Sequence, residues 1–382
     1  MAHYRIDLAC GQLELRTVRE AQPLSELLGF ATRQNPRRGF LFVSRVLGKH
    51  VPCAPAVMRD TYERLADGLG EADGPLLVVG LAETATGLGG GIADTLARRG
   101  RDDLLFQHTT RHWLDAPVLL RFDEAHSHAP DHILYAPAAG LAARYRATRT
   151  LVLIDDEITT GRTLARLGAA LAAHLPELTG IGFVSLVNWL DPGARARLAA
   201  DLPVPLRFVS LIDGTFDFRP RPGFVPTPPP GTNARRAPAQ PARADLGRRG
   251  WAMAGCRHSW ADAAATLAEA LTARGQRSVN VIGTGELAFP PFRLAEELAR
   301  LGLDVLFQGT TRSPILAGGA IAASLHFLDE HGEGVQNYLH NPPSDGRRPI
   351  LAYESAAQAA AHPLPRQLDA LVWIPPDFAE PG

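Results

Sequence analysis

The chain has 382 residues, which is long for a single hydrophobic core and predicts two domains. A formal net charge of −1 gives no basic surface of the kind that binds nucleic acid, and no apolar run is long enough to span a membrane. Three cysteines, far apart and odd in number, argue against a disulfide framework and predict a reducing cytoplasm.

The N-terminal region is predicted to form short strands that lead to a group of basic residues. Alternating apolar and polar positions within residues 1–50 predict the strands, and the apolar run 40–43 closes the series. Arg45, Lys49 and His50 follow, and could contact a pyrophosphate or a partner phosphate, or form a solvated turn. Lys49 is the only lysine in the chain, which either indicates a need for a compact ammonium or reflects chance.

A helix and a strand–turn–helix unit come next. Residues 55–69 have the spacing of an amphipathic helix, and residues 76–80 have the continuous apolar pattern of a buried strand. Strands that alternate with helices predict a doubly wound parallel sheet, in which ligands bind at the carboxyl ends of the strands. Small residues after the strand let backbone N–H groups close on an anion. This candidate turn is Glu83, Thr84, Ala85, Thr86 and Gly87.

Polar residues also follow the next predicted strand, at 104–106. They include Arg111, a candidate contact for an anion. Residues 122–129 have neither a helical nor a strand pattern. Within them His126 and His128 could donate to a pyrophosphate or activate a nucleophile, could bind a metal together with nearby acids, or could belong to a plain polar loop.

The most informative stretch is residues 151–163. Four apolar residues predict a buried parallel strand that ends at Asp155 and Asp156, and a hydroxyl-rich turn then opens a helix predicted over residues 164–175. The N-terminus of a helix suits a phosphate, whereas carboxylates suit the vicinal hydroxyls of a sugar. We therefore predict a sugar-phosphate site; the alternative is an ordinary strand–turn–helix with an acidic cap.

The order strand, Asp-Asp, two further residues and Thr-Thr-Gly-x-Thr resembles the phosphoribosyl-pyrophosphate (PRPP) loop of type I phosphoribosyltransferases. The resemblance implies an α/β fold with a parallel sheet covered by helices on both faces. It also implies that Asp155 and Asp156 hold the ribose hydroxyls. Glu157, where this family carries an apolar residue, is grouped with them as a candidate catalytic residue. The implied 5′-phosphate turn is Thr159, Thr160, Gly161, Arg162 and Thr163.

The same resemblance assigns the earlier loops. It implies that residues 83–87 form the pyrophosphate loop and that residues 122–129 form a lid over PRPP, with Arg111, His126, His128 and Lys49 as candidate contacts. Mg²⁺ is implied to arrive with PRPP, and no protein side chains are assigned to it.

Residues 219–249 are rich in Pro and Arg without apolar periodicity, which predicts a linker between domains at 1–218 and 250–382. The second domain repeats the strand–loop–helix–strand–loop order of the first, and the Asp-Asp-Glu loop has no second copy. The C-terminal unit is therefore predicted not to hold PRPP. Its polar residues suit a phosphate or carboxylate, although a structural duplication would need no ligand. They are Glu286, Thr310, Thr311, Arg312 and Ser313.

The segment Thr-Arg-Ser-Pro at 311–314, after a phosphoribosyltransferase-like domain, resembles the phosphoribosyltransferase-TRSP proteins of tellurite-resistance and stress gene clusters. That family implies synthesis of a nucleoside-like metabolite. We predict a cytoplasmic enzyme that transfers ribose 5-phosphate from Mg–PRPP to an unidentified base-like small molecule and releases pyrophosphate. The alternatives are a PRPP- or nucleotide-sensing regulator without turnover, and the reverse reaction that releases a base. Formation of a homodimer is left open.

Overall fold

The computed structural model describes residues 1–35, 38–122, 132–227, 245–254 and 259–376. We call residues 1–227 the first unit and residues 245–376 the second unit. The elements of the first unit are β1 (Ala2–Leu8), β2 (Gly11–Glu20), α1 (Leu24–Leu27), β3 (Leu28–Thr32), β4 (Phe40–Ser44), α2 (Pro55–Leu69), β5 (Leu76–Gly80), α3 (Ala85–Arg98), β6 (Leu104–His108), β7 (Val118–Phe122), β8 (His132–Tyr135), α4 (Ala142–Arg146), β9 (Thr150–Ile154), β10 (Glu157–Ile158), α5 (Arg162–Ala172), β11 (Gly180–Asn188), α6 (Pro192–Ala200) and β12 (Leu206–Pro220).

The elements of the second unit are β13 (Trp251–Ala252), α7 (Ser259–Ala273), β14 (Ser278–Gly283), α8 (Phe289–Arg300), β15 (Asp304–Gly309), β16 (Ser324–Leu328), β17 (Gln336–His340), β18 (Arg348–Ala352), α9 (Ala356–Ala361), α10 (Leu364–Gln367) and β19 (Leu371–Trp373). Across the described residues, no helix is both long and apolar enough to cross a membrane.

The first unit is organised around a sheet in the order β1-β2-β12-β11-β9-β5-β6-β13, with β10 paired to β11. The strands from β12 to β6 run parallel to one another, whereas the outer strands are antiparallel to their neighbours. Consecutive strand residues point to opposite faces, so a strand that is covered on both sides must be apolar throughout. Accordingly Val78 packs with α2 and α3, whereas Leu77 packs with α5. The predicted α/β fold is confirmed.

The second unit contains a parallel sheet in the order β15-β14-β18-β19. Its strands correspond to β6, β5, β9 and β11 of the first unit, and the hairpin β16–β17 corresponds to β7–β8. Hydrogen bonds recur at matching positions: the Thr109 N–H donates to the Gly80 carbonyl at 3.0 Å, and the Thr310 N–H donates to the Gly283 carbonyl at 2.9 Å. The predicted echo of the first unit in the second is therefore confirmed, and it extends to β18 as the counterpart of β9.

The two units exchange edge segments. Cys53 of the first unit pairs with Phe307 on β15, and Trp251 of the second unit pairs with Phe106 on β6. These pairings relate the units by an approximate twofold axis, because Phe106 and Phe307 occupy matching positions. Matching helices α3 and α8 pack together, with Phe289 seated so closely against Gly90 that an added Cβ would lie 2.5 Å from its ring.

Several predicted boundaries differ from those observed. Helix α3 begins at Ala85, so the last three residues of the predicted 83–87 turn form its first turn. Helix α5 covers Arg162–Ala172, two residues earlier at its start than the prediction. Strand β12 continues to Pro220, past the predicted start of the linker at residue 219, because residues 214–220 pair with β2. The division into domains at 1–218 and 250–382 stays a prediction.

Candidate active site

The acidic pair lies at the carboxyl edge of the sheet, directly after β9. The Asp155 N–H donates to the Val184 carbonyl at 3.1 Å, and the Leu186 N–H donates to the Asp156 carbonyl at 3.1 Å. The Asp156 N–H also donates to Asp155 Oδ1 at 2.9 Å. The backbone of the pair is thus held against β11, while both side chains stay half-buried at the edge.

The hydroxyl-rich turn connects this pair to α5. Gly161 caps the helix with φ of 66°, a left-handed conformation that favours glycine, and an added Cβ would lie 2.5 Å from Leu198 Cδ1. Thr160 and Arg162 are exposed, and Thr159 and Thr163 are half-exposed. Since the first N–H groups of a helix lack intrahelical acceptors, this accessible turn has the donors that an anion requires. The structure thus brings the predicted phosphate turn and the acidic pair together.

Glu157 lies next to the acidic pair, at the start of β10, and pairs with Arg38. One guanidinium nitrogen of Arg38 donates to Glu157 Oε1, and the guanidinium lies 4.6 Å from the ring centre of Phe40 and 5.3 Å from that of Phe42. The extra charge predicted at this position is therefore balanced by a cation. Sequence reasoning did not select Arg38 as a site residue because it lies 119 positions away, and nothing in the local pattern links the two.

Asp156 has a raised pKa, about 6. Burial is the main cause, and the neighbouring negative charge of Glu157 adds to it, whereas Arg38 acts in the opposite direction. Asp156 therefore holds a proton more readily than an exposed aspartate would.

This pKa predicts how stability depends on pH. Because the folded-state value of about 6 exceeds the ordinary 3.8, the folded state keeps a proton that the unfolded state releases, and stability falls as pH rises through that interval. Asp156→Asn should remove the effect. We expect the ligand-free variant to be more stable than the wild type by about 1–3 kcal/mol near neutral pH, and equally stable near pH 4. Urea denaturation at both pH values measures this, and an equal difference at both would contradict it.

The candidate pyrophosphate loop follows β5 and contains a buried ion pair. Lys49 Nζ lies 2.6 Å from Glu83 Oε1 and donates to the Gly285 carbonyl at 3.0 Å. Burial acts to raise the pKa of Glu83, but Lys49, with smaller effects from Arg312 and Arg111, lowers it overall. The single lysine of the chain therefore joins the candidate loop to the second unit.

The rest of the candidate loop is less accessible than predicted. Thr84 is half-buried, whereas Ala85, Thr86 and Gly87 are buried in the first turn of α3. The Thr86 hydroxyl donates to the Glu286 carbonyl at 2.9 Å, so its hydrogen-bonding capacity is used at the contact between the units.

Arg111 lies after β6, where its backbone N–H donates to Glu286 Oε1 at 2.7 Å. One of its guanidinium nitrogens is 3.2 Å from His132 Nε2. His126 and His128 lie outside the described residues, so the predicted lid stays a prediction.

Glu286 is the centre of a buried charge cluster in the second unit. It accepts a hydrogen bond from the Thr110 hydroxyl, and Arg248 lies 3.5 Å away. Arg248 also forms a two-pronged ion pair with Glu354, at 2.5 and 3.1 Å. Burial acts to raise the pKa of Glu286, but the surrounding basic side chains, His112 and Arg248 first among them, hold it well below its usual range.

Arg248 was not selected from the sequence, since it falls in the Arg-rich stretch that was predicted to be a linker. Its side chain is 1 % exposed, and its partner Glu354 follows β18 at the position that corresponds to Asp156 on β9. Knowledge of the strand correspondence would have been needed to find it. Arg248 thus closes the cleft of the second unit that corresponds to the candidate active site.

A second group of charges lies beside this cluster. The rings of His112 and His331 are 3.7 Å apart, and Glu333 lies 3.4 Å from His112 and 3.2 Å from Arg312. Burial acts against ionisation of Glu333, but His112 and Arg312 lower its pKa to about 2. Arg312, predicted as a ligand contact of the second unit, therefore belongs to an ion-pair network.

The remaining predicted residues of the second unit are buried. The Thr310 hydroxyl accepts from the Gly285 N–H at 2.8 Å, and the Thr311 hydroxyl accepts from the Ser313 N–H at 3.1 Å. The Ser313 hydroxyl oxygen is itself buried, and has no hydrogen-bond partner among the described residues. Among those residues no group of three or more His, Cys, Asp and Glu side chains could hold a metal ion.

A parallel sheet with two carboxylates and a glycine-containing turn at its carboxyl edge defines an α/β protein with a candidate sugar-phosphate site. A family model described as phosphoribosyl transferase matches residues 27–215, and a model described as the TRSP domain C-terminal to that transferase matches residues 245–370. The chain belongs to this family of phosphoribosyltransferases with a C-terminal TRSP domain. No curated protein matches the chain.

Solved structures with partial similarity include adenine phosphoribosyltransferases. The enzyme from Trypanosoma brucei, in complex with AMP, pyrophosphate and ribose-5-phosphate, is 14% identical over 50% of this chain and 77% of its own, with a TM-score of 0.34. The enzyme from Giardia lamblia is 16% identical over 50% of this chain and 98% of its own, with a TM-score of 0.35. An orotate phosphoribosyltransferase from Francisella tularensis is 16% identical over 41% and 65%, with a TM-score of 0.25. The family assignment rests on the two family models.

Proposed function

We propose that the protein transfers ribose 5-phosphate from PRPP to a base-like small molecule and releases pyrophosphate. The observation that carries this proposal is the juxtaposition of Asp155 and Asp156, at the end of β9, with the accessible turn that opens α5. Membership of a phosphoribosyltransferase family supports it. A nucleoside-like product and a cytoplasmic location are part of the same proposal.

The acidic pair would accept hydrogen bonds from the ribose hydroxyls. The N–H groups of the turn at 159–163 would hold the 5′-phosphate, which fixes the sugar at both ends. As the bond to pyrophosphate breaks, positive charge develops on the sugar. The fixed carboxylates of Asp155 and Asp156 would stabilise that charge, since they need no reorganisation during the reaction.

Pyrophosphate would leave toward the loop after β5. Lys49 neutralises the Glu83 carboxylate there, so the loop does not repel the departing anion, and Arg111 provides a second cation from the loop after β6. The half-buried carboxylates of the acidic pair are hard oxygen ligands of the kind that Mg²⁺ takes together with substrate phosphates. When bound, Mg²⁺ would neutralise charge on the pyrophosphate oxygens.

The test is incubation of the purified full-length protein with Mg–PRPP and pooled base-like acceptors, followed by mass spectrometry. We expect pyrophosphate release that depends on an acceptor, together with a new product whose mass equals the acceptor plus ribose 5-phosphate less water. Tight PRPP binding without turnover on any acceptor would favour a sensor instead. Release of a free base from a nucleotide, with no synthesis, would indicate the reverse reaction.

A further inference from the structure

We infer that the Thr-Arg-Ser-Pro segment of the second unit, residues 311–314, completes the pyrophosphate end of the active site in the first unit. This inference rests on the proposed function, because it assigns a role within the same site. It gives the second unit a function other than binding a ligand in its own cleft.

The two units are joined by reciprocal backbone hydrogen bonds at the ends of β6 and β15. The Gly309 N–H donates to the Gly48 carbonyl at 2.7 Å, and the His108 N–H donates to the Gly247 carbonyl at 3.2 Å. His108 and Gly309 occupy matching positions, at the ends of β6 and β15. Each unit therefore supports the last strand residue of the other, and the approximate twofold axis holds at the carboxyl edge where the clefts lie.

The first unit contributes hydrogen-bond donors to the cleft of the second unit. After β6, the Thr110 hydroxyl and the Arg111 N–H both donate to Glu286, and His112 Nε2 lies 4.0 Å from the same carboxylate. Glu286 belongs to the loop after β14. The loop after β6 thus crosses the contact between the units and serves the loop after β14.

The twofold relation also matches the loops after β5 and β6 with the loops after β14 and β15. Glu83 matches Glu286, and Thr311 and Ser313 match Thr110 and His112. A hydrogen bond recurs at these positions: the N–H of His112 or Ser313 donates to the hydroxyl of the threonine two positions earlier, at 3.1 Å in both units. The axis therefore directs Thr311 and Ser313 toward the Glu83 loop. The electrostatic influence of Arg312 on Glu83 agrees with this placement.

The two clefts differ in the basic residue that lies beside their carboxylates. In the second unit the position between Glu286 and Glu354 is filled by the Arg248 guanidinium, which satisfies both carboxylates. In the first unit the matching basic residue is the shorter Lys49, which pairs with Glu83 and leaves the acidic pair after β9 half-exposed. Among the described residues, the first cleft thus combines accessible carboxylates with a phosphate turn, whereas the Arg248 guanidinium occupies the second cleft.

The hydroxyl of Ser313 lies in the buried part of the segment at 311–314. Ser313 is 8% exposed, and its Oγ has no hydrogen-bond partner in the described part of the chain. A buried hydroxyl without a partner is costly, and a pyrophosphate oxygen would supply the missing acceptor. The second unit thus contributes a donor to the anion that the first unit releases.

The test compares two ligands by calorimetry with the full-length protein: Mg–pyrophosphate and ribose 5-phosphate. Ser313→Ala should weaken pyrophosphate and PRPP binding about tenfold, as expected for loss of one hydrogen bond to a charged group, and leave ribose 5-phosphate binding unchanged. Arg312→Gln should act in the same direction. Ser355→Ala is the matched control, because the hydroxyl of this serine caps α9 in the second unit by accepting from the Gln358 N–H, and its loss should change neither affinity.

If Ser313→Ala binds pyrophosphate as tightly as the wild type does, the inference is overturned. The proposed function would still be supported in that case, provided that the wild type binds PRPP. An equal loss of both ligands in Ser313→Ala would also overturn it, since that result indicates a structural role. Failure of the wild type to bind PRPP at all would overturn the proposed function, and this inference with it. If Arg312→Gln fails to fold because Glu333 loses its partner, Ser313→Ala alone decides.

Discussion

Replacement of both Asp155 and Asp156 by asparagine is expected to abolish PRPP binding measured by calorimetry. Asparagine keeps the size of each side chain but removes the charge that makes a carboxylate a strong acceptor for sugar hydroxyls. Hydrogen bonds to a charged group contribute about 1.5–3 kcal/mol each, so loss of two such groups should weaken binding by a hundredfold or more. The proposed reaction should be lost with it.

The variant should remain folded, which makes the loss interpretable. The raised pKa of Asp156 indicates that its ionised form is unfavourable in the ligand-free protein, so neutral side chains at this position should not destabilise the fold. Asp191→Asn is a suitable control, since Asp191 is exposed and caps α6, where asparagine caps equally well. Unchanged PRPP affinity in the double variant would refute the assignment of the acidic pair.

Local sequence was sufficient to predict the central part of this site. The strand β9, the acidic pair and the turn before α5 are contiguous, and each is specified by a short-range rule: apolar continuity for a buried strand, and small residues for a helix start. The echo between the units was predictable for a similar reason. Strand ends such as Gln107–Thr110 and Gln308–Thr311 repeat in nearly the same order in both units.

The contacts that close and neutralise the site were not predictable in this way. The pair of Arg38 and Glu157 joins residues 119 positions apart, and the pair of Arg248 and Glu354 joins residues 106 positions apart. Such pairs depend on which strands become neighbours, and on the twofold arrangement of the units. Composition around Arg248 favours an extended linker, yet two buried carboxylates hold that side chain in the interior.

The helix starts show the same competition between local and tertiary effects. Small residues at 83–87 predict an open loop, whereas α3 begins at Ala85, and its glycines let Phe289 of the second unit pack directly on the helix backbone. Small side chains let a loop close on an anion, and they equally let two helices pack closely together. Sequence alone does not decide between these uses, because the partner helix α8 begins at Phe289, far along the chain from α3.

Replacement of Arg248 by alanine is expected to have the largest effect on stability. The change leaves Glu286 and Glu354 buried without their shared cation, and removal of one partner from a buried ion pair costs about 3–5 kcal/mol. Denaturation in guanidinium chloride near neutral pH measures the loss. Arg249→Ala is the matched control: Arg249 is only half-buried, and its Nε has no partner among the described residues, so its loss should cost about 1 kcal/mol or less.

The pH dependence of that loss follows from the carboxylates. Burial acts to raise the pKa of Glu354, but Arg248 outweighs it and lowers the pKa in the wild type, so the ion pair contributes stability that is present above the unfolded-state pKa and is lost as pH falls through the folded-state value. The difference between wild type and Arg248→Ala should therefore shrink as pH falls: the unpaired buried carboxylates of the variant take up protons first, and the wild-type ion pair is lost below the ordinary pKa of 4.5. Adding Glu354→Gln to Arg248→Ala should restore part of the lost stability, because it removes a buried charge that has no partner. Strictly additive losses would show instead that Arg248 stabilises the contact by packing rather than by its charge.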